Sequence, residues 1–218
     1  KAIHQFANKK KSVIDIGCAV GKWMPVLSPI FKTVRAIDIS AKNLAIAEKK
    51  YKKYDNISYE CVDMSAAKLK PQKYDSAICI NAILTESLKK RDLFFKHMSS
   101  FIKKGGDLVL VVPSLESKLF SHIIANKWNV DDAKKDIAPT GKKAISQIRF
   151  IKDGVTDIDD TPTKHFLKEE LELLLTLAGF EVEKIEKIKY NWSTEFHKPP
   201  SWLKNPQPWD WMVKAKKK

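Results

Sequence analysis

Apolar and polar residues alternate along the first half of the chain in a way that predicts a parallel sheet covered by helices. Five short β-rich segments predict the first five strands, at Ser12–Ile16, Thr33–Ile39, Ile57–Val62, Tyr74–Ile80 and Asp107–Val112. Two stretches between them, Ser40–Tyr54 and Leu88–Ile102, carry apolar residues at helical spacing. Ser40 is the expected N-cap of the first helix, and Gly105 and Gly106 are expected to stop the second.

The second half contains a helix, two strands and two irregular segments. The helix is predicted at Lys168–Ala178, followed by strands at Phe180–Tyr190 and Trp209–Ala215. The first irregular segment, Ser114–His165, is predicted to hold a helix and a hairpin, at Leu115–Asn126 and at Gln147–Ile151 with Val155–Ile158. The second is Asn191–Pro208, rich in Pro and Trp. Because no linker composition interrupts the chain, we expect one α/β domain over residues 1–218.

Composition is that of an ordinary globular protein, with 44% hydrophobic and 30% charged residues. No apolar run is long enough to span a bilayer, and no signal peptide is recognised, although Lys1 is not an initiator residue. The three cysteines, Cys18, Cys61 and Cys79, form no CxxC pair, which argues against a zinc site or a disulfide framework. Reduced thiols favour a cytoplasmic location, and we expect no membrane partner.

The formal net charge of +14 raises the hypothesis of a nucleic-acid partner. Only three of the 40 basic residues are arginine, however, and arginine is the side chain best suited to recognise phosphates and base edges. The lysines are spread over predicted helix faces and the end of the chain. We therefore favour a solvated lysine-rich surface over a nucleic-acid footprint.

The sequence VIDIGCAVG (Val13–Gly21) places a strand, a turn flanked by Gly17 and Gly21, and a helix start in succession. Glycine permits such a turn and lets a ligand approach the backbone closely. The first amides of the helix can then donate hydrogen bonds to that ligand. A dinucleotide fingerprint GxGxxG would need glycine at Ala19 and Lys22. Asp15, two residues before the first glycine, suits a ligand with a cationic end better than a pyrophosphate.

Two further acids follow the next strands. Asp38 ends the second strand, where a carboxylate can accept hydrogen bonds from both ribose hydroxyls. Asp63 follows the third strand, within reach of an adenine amine if a nucleoside lies across the strand ends. Each aspartate alone could be a helix or turn cap, but three at successive strand ends favour a nucleoside site.

With these residues the chain resembles the class I S-adenosylmethionine-dependent methyltransferases over nearly its whole length, and their small-molecule branch most. The segments Tyr74–Leu84, Ile102–Ser114 and Phe166–Ile185 are similar to later motifs of that family. The resemblance implies a Rossmann-like seven-stranded, mostly parallel sheet with an antiparallel last strand, helices on both faces and a substrate lid at 114–165, after strand 5. The one departure is Ala19, where the family motif has its middle glycine.

The resemblance also implies S-adenosylmethionine as cofactor, no metal, and a small-molecule methyl acceptor. The glycine turn would hold the methionine part, Asp38 the ribose and Asp63 the adenine. The implied cofactor-binding residues are Asp15, Gly17, Cys18, Ala19, Gly21, Asp38, Ile39, Asp63, Met64 and Asn81. His165, just before the Lys168–Ala178 helix, is the candidate general base for an acceptor that keeps its proton.

Three other functions stay open from the sequence. A methyltransferase of RNA or protein would explain the charge, although INAIL (Ile80–Leu84) lacks the proline pair of amino-directed nucleic-acid enzymes. A nicotinamide-dependent oxidoreductase is disfavoured by Ala19 and Lys22. The last is an S-adenosylmethionine-binding protein without catalytic activity. Neither the acceptor nor the oligomeric state follows from the sequence.

Overall fold

The computed structural model describes residues 2–128, 152–158 and 161–218. Their order is β1 (Ser12–Ile16), α1 (Met24–Leu27), β2 (Thr33–Asp38), α2 (Ala41–Lys50), β3 (Ile57–Cys61), β4 (Tyr74–Ile80), α3 (Leu88–Ser100), β5 (Ile102–Pro113), α4 (Leu115–Trp128), β6 (Val155–Ile158), β7 (Thr161–Lys164), α5 (Lys168–Leu177), β8 (Phe180–Lys189) and β9 (Trp209–Lys217). Three short 3-10 helices lie at Ile3–Gln5, Lys152–Gly154 and Trp192–Thr194.

Seven strands form one sheet in the order β3-β2-β1-β4-β5-β9-β8. Strands β1 to β5 are parallel to one another, and β9 runs antiparallel to both of its neighbours. The predicted Rossmann-like sheet with an antiparallel last strand is therefore confirmed. Because the first five strands are parallel, their carboxyl ends meet at one edge, which also receives the start of β9.

Helices cover both faces of the sheet because adjacent strand residues point to opposite sides. On one face, Ile14 and Leu110 pack with α3 and α5. On the other, Val13 and Val109 pack with α1 and α2. A smaller third cluster joins α4 to the segment after β8, where Trp192 lies with Ile124, Phe196 and Leu203. The two irregular segments of the sequence therefore pack against each other.

Gly105 and Gly106 do not end the helix, as the sequence had suggested. α3 stops at Ser100, and both glycines lie within β5. The reason is a bulge in the pairing of β4 with β5, where Tyr74 pairs with Ile102 but Ser76 pairs with Asp107. Gly105 takes a φ of 75° inside this bulge, a conformation that glycine adopts without steric cost.

The predicted hairpin is corrected in one respect. Val155–Ile158 is a strand, but its partner in the structure is Thr161–Lys164, which the sequence had not identified as a strand. The other predicted arm, 147–151, lies outside the described residues. Residues 152–158 and 161–166 return the chain to the sheet, where Phe166 forms a parallel bridge with Ser114 directly after β5.

Candidate functional site

The turn after β1 is built around residues with left-handed backbone angles. Gly17 has a φ of 76°, Ala19 of 47° and Gly21 of 77°. The amides of Gly17 and Cys18 both donate to the carbonyl oxygen of Ile37 on β2, at 2.8 and 2.9 Å. A Cβ atom on Gly17 would lie 2.3 Å from the Cβ of Ala82, so the turn packs directly on the loop after β4. Glycine is required at position 17 for both its backbone angle and its size.

Asp15 is buried inside β1, with 1% of its surface exposed. Its Oδ2 atom has no hydrogen-bond partner among the described residues. Burial, with a smaller contribution from the charge of Asp38, raises the pKa of Asp15 to about 7. An unpartnered buried carboxyl oxygen is costly, and a ligand that brings an N–H group or a positive charge would relieve the cost.

Asp38 links the glycine turn to the start of α2. Its Oδ2 accepts the amide of Ala19 and its Oδ1 the amide of Ser40, both at 2.8 Å. Ser40 in turn caps α2 by accepting the amide of Asn43 at 3.2 Å, as predicted. The exposed apolar side chain of Ile39 stands beside this carboxylate at the sheet edge. This arrangement suits a nucleoside whose ribose hydroxyls donate to the carboxylate and whose base packs on the apolar side chain.

Asp63 and Met64 follow β3 and differ in their exposure. Asp63 is exposed, and its Oδ1 accepts the amide and the hydroxyl of Ser65, which lower its pKa. Met64 is buried in the core, and its carbonyl oxygen lies 2.9 Å from Nδ1 of His97 on α3. The carboxylate of Asp63 is therefore available at the surface, whereas Met64 could contact a ligand only through its backbone.

Asn81 closes the site on the β4 side. It has a φ of 51°, and its amide donates to Val111 on β5. Its side-chain Nδ2 donates to Oδ2 of Asp210 at 3.3 Å. Asp210, at the start of β9, has a pKa raised chiefly by burial. Asparagine tolerates this left-handed conformation better than most residues do.

An acidic group around Asp210, which the sequence did not reveal, lies next to Asn81. Tyr190 donates its hydroxyl to Glu195 at 2.9 Å, and burial together with Glu195 and Asp210 raises the pKa of that hydroxyl. The predicted antiparallel direction of the last strand could have placed Asp210 at the site. It brings the start of β9 to the same edge as the carboxyl ends of β1 to β5.

His165 lies between β7 and α5, beside the end of β5. It is 3% exposed, and its Nδ1 lies 3.0 Å from the carbonyl of Thr163 and 3.1 Å from the hydroxyl of Thr156. Burial lowers the pKa of His165 to about 4. The carbonyl fixes a proton on Nδ1, so that Nε2 carries the lone pair.

The structure thus gathers Asp15, Gly17, Cys18, Ala19, Gly21, Asp38, Ile39, Asp63, Met64 and Asn81 along the carboxyl edge of β1 to β4. His165 stands further along that edge, past β5. Within the described ranges, no three His, Cys, Asp or Glu side chains are grouped so as to hold a metal ion. No helix in the described part of the chain has the length and apolar character needed to cross a membrane.

Comparison with known proteins agrees with this geometry. A family model described as a methyltransferase domain matches residues 13–106. A probable S-adenosylmethionine-dependent methyltransferase of Saccharomyces cerevisiae, CRG1, is 35% identical over 103 residues, which are 44% of this chain and 34% of that protein. The ubiquinone biosynthesis O-methyltransferase of Coxiella burnetii is 26% identical over 121 residues, 55% of this chain and 51% of that protein. The chain thus spans about half or less of these curated relatives.

Solved structures share the fold over almost the whole chain. An S-adenosylmethionine-dependent methyltransferase of Methanosarcina mazei has a TM-score of 0.67 at 17% identity, covering 99% of this chain and 96% of its own. The N-methyltransferase NodS of Bradyrhizobium japonicum, in complex with S-adenosyl-L-homocysteine, has a TM-score of 0.64 at 12% identity, covering 99% and 81%. The methyltransferase-domain match therefore includes the glycine turn and the three strand-end acids, and the fold over almost the whole chain is that of S-adenosylmethionine-dependent methyltransferases.

Proposed function

We propose that this protein transfers the methyl group of S-adenosylmethionine to a small-molecule acceptor. The observation that carries the proposal is the buried, unpartnered oxygen of Asp15 beneath a glycine turn that Asp38 holds in place. A cofactor with a cationic amino-acid end and a ribose diol matches these two carboxylates. A pyrophosphate would meet Asp15 with like charge, which disfavours a nicotinamide-dependent oxidoreductase.

Each part of the site then has a role. Asp15 and the backbone of Gly17, Cys18, Ala19 and Gly21 face the methionine part. Asp38 binds the ribose hydroxyls, and Ile39, Asp63 and the Met64 backbone contact the adenine. Asn81 lies at the edge between the cofactor and the acceptor. The residue types and their order along the sheet edge support these assignments.

Bound S-adenosylmethionine supplies an activated methyl group for in-line displacement by the acceptor. The protein contributes alignment of the acceptor and exclusion of water, which together can lower the barrier by several kcal/mol. We infer that α4, which begins the predicted lid at 114–165, and the segment after β8 cover the acceptor, since α4 and Trp192 pack together. His165, neutral and with a free lone pair on Nε2, would accept the proton of an acceptor hydroxyl or amine.

A small-molecule acceptor fits the charge around Asn81 better than RNA does. The carboxyl group of Asp210 lies beside Asn81, and in its ionised form it would repel a phosphate backbone. The Coxiella burnetii relative, which is named for ubiquinone biosynthesis, also supports a small acceptor. The three free cysteines, two of them buried, are consistent with a reducing compartment such as the cytoplasm.

Calorimetry with S-adenosylmethionine and S-adenosylhomocysteine tests the binding part of the proposal. We expect both to bind the wild type, and the Asp38→Asn variant to bind at least about tenfold more weakly, since hydrogen bonds to a charged group are lost. Asp55→Asn, an exposed aspartate before β3, is the matched control and should bind like the wild type. No affinity of the wild type for either compound overturns the proposal.

Turnover is tested separately with methyl-labelled S-adenosylmethionine and pools of small hydroxyl and amine compounds, with total RNA as a second acceptor. Label in a small compound supports the proposal. Label in RNA would show that the acceptor is RNA and not a small molecule. Tight cofactor binding with no label in any pool identifies a binding protein without catalytic activity.

A further inference from the structure

A second charged surface lies at the opposite edge of the sheet, where β1 to β5 begin and β9 ends. We call it the lysine edge and define it by four groups: Lys9–Lys11 before β1, Lys73 before β4, Lys103 and Lys104 at the start of β5, and Lys216–Lys218 at the end of β9. All but Lys11 and Lys217 are exposed. These nine lysines are distant in sequence and are brought together only by the fold.

The strand pairing shows that the lysine edge is continuous. Lys11 lies 3.3 Å from Asp107, and Asp107 pairs with Lys216 across β5 and β9. Lys73 is close enough to Lys217 that its charge contributes, after burial, to lowering the pKa of Lys217. Positive charges therefore crowd one another here instead of being spread evenly over the surface.

Few acids offset this charge. Asp107 forms an ion pair with Lys11, Asp75 with Lys103 and Glu183 with Lys216, and exposed Glu181 lies opposite Lys216 on β8. The remaining exposed lysines, Lys9, Lys10, Lys73, Lys104 and Lys218, have no carboxylate of the described residues within ion-pair distance. A cluster of this size attracts anionic surfaces, with each lysine near the surface adding to the binding.

We propose that the lysine edge docks the protein on an anionic lipid bilayer, which replaces the expectation from the sequence that there is no membrane partner. The edge contains no arginine, and the aromatic residues next to it, Tyr74, Phe101 and Phe180, are buried. Nucleic-acid surfaces rely on arginine forks and on exposed rings that stack on bases, whereas lysines acting as point charges suit a headgroup layer. The four strands that carry these lysines, β1, β4, β5 and β9, are neighbours in the sheet, so the lysines form a row about 15 Å wide.

The position of the lysines sets the orientation of docking. Asp38 and Asp63 lie at the carboxyl edge, whereas the nine lysines lie at the other, so an anionic surface attracts the lysine edge in preference to the carboxyl edge. From Asp210 to Lys216, β9 spans about 20 Å. The docked protein therefore turns its candidate cofactor and acceptor site away from the lipid.

Sedimentation with vesicles tests this docking and requires neither cofactor nor turnover. Vesicles of phosphatidylcholine containing about 30% phosphatidylglycerol should bind the protein, and pure phosphatidylcholine vesicles should not. Binding should weaken as salt rises from about 0.05 to about 0.5 M, since salt screens exposed charges. The variant Lys9→Glu/Lys73→Glu/Lys104→Glu should lose about tenfold or more in partition to the anionic vesicles.

The matched control is Lys42→Glu/Lys89→Glu/Lys96→Glu, three exposed lysines on α2 and α3. It lowers the net charge by the same amount and should keep most of the binding. Equal losses in both variants would show that net charge alone drives binding, and no binding by the wild type would overturn the proposal outright. Tighter binding to a duplex RNA than to the vesicles, abolished by the edge variant, would replace the bilayer by a nucleic acid.

Discussion

The carboxyl groups of Asp15 and Asp38 are coupled, since the charge of Asp38 adds to the effect of burial in raising the pKa of Asp15 to about 7. Asp38 is anchored by two backbone amides, while Oδ2 of Asp15 has none. The free protein therefore holds a carboxyl group that is partly protonated near neutral pH. A bound cation beside Asp15 would favour its ionised form.

Asp15→Asn should make the free protein more stable above neutral pH. The pKa of Asp15 in the folded protein lies above its ordinary value of 3.8, so the wild type loses stability as pH rises from about 4 to about 7 and does not regain it at higher pH. The variant avoids this loss, and we expect a gain on the order of 2–4 kcal/mol at pH 8 and almost none at pH 4. Urea unfolding at both pH values measures it. An equal gain at pH 4 would contradict the pKa argument.

The same variant should bind the cofactor more weakly. For the wild type, affinity for S-adenosylmethionine should fall as pH drops below about 7, because the neutral carboxyl group no longer attracts the cationic end. Asp15→Asn should show low affinity without this pH dependence. Calorimetry at intervals of about half a pH unit between pH 6 and pH 8.5 measures the affinity of both proteins. A wild-type affinity that is constant over the range would sink the assignment of Asp15.

Asp38→Asn should disorder the turn as well as weaken cofactor binding. An amide side chain can accept one of the two backbone bonds from Ala19 and Ser40, but it faces the other with a second donor. We expect a loss of about 1–3 kcal/mol in stability. Hydrogen exchange at the Ala19 and Ser40 amides should quicken more than exchange in β4. Uniform exchange throughout the domain would contradict a local role.

His165→Gln tests the candidate base once an acceptor is known. Because burial lowers the pKa of His165 to about 4, its imidazole is neutral at ordinary pH, and activity should fall only as pH approaches that value. The variant should lose about 10²–10⁴-fold in kcat with little change in cofactor affinity. Unchanged kcat, or an activity loss centred near pH 6.5 in the wild type, rejects His165 as the base.

Cys61 offers a direct probe of cofactor binding. It is exposed, and its Sγ lies 3.3 Å from the carbonyl oxygen of Ile39, whereas Cys18 and Cys79 are buried with raised pKa values. Iodoacetamide should modify one thiol rapidly. S-adenosylhomocysteine should slow that reaction, and Cys61→Ser should remove it. Rapid modification of two thiols, or no protection, would contradict this placement.

The sequence predicted the sheet well because apolar runs and strand-end acids are local signals. The apolar run from Asp107 to Val112 predicts a strand directly. The bulge that places Gly105 and Gly106 in the same strand depends instead on pairing between β4 and β5 near Tyr74. Thr161–Lys164 was missed because its strand character comes from its partner and not from its composition. Asp210 was missed for a similar reason, since only the assembled sheet brings the start of β9 beside Asn81.

The contact between Gly17 and Ala82 joins the turn proposed to hold the cofactor to the loop after β4. A larger side chain at residue 82 would have to displace the turn after β1, because a glycine already offers the smallest possible neighbour. Position 17 therefore cannot compensate for a larger residue 82. If the turn binds the cofactor as proposed, enlarging residue 82 to change the acceptor range should also weaken cofactor affinity.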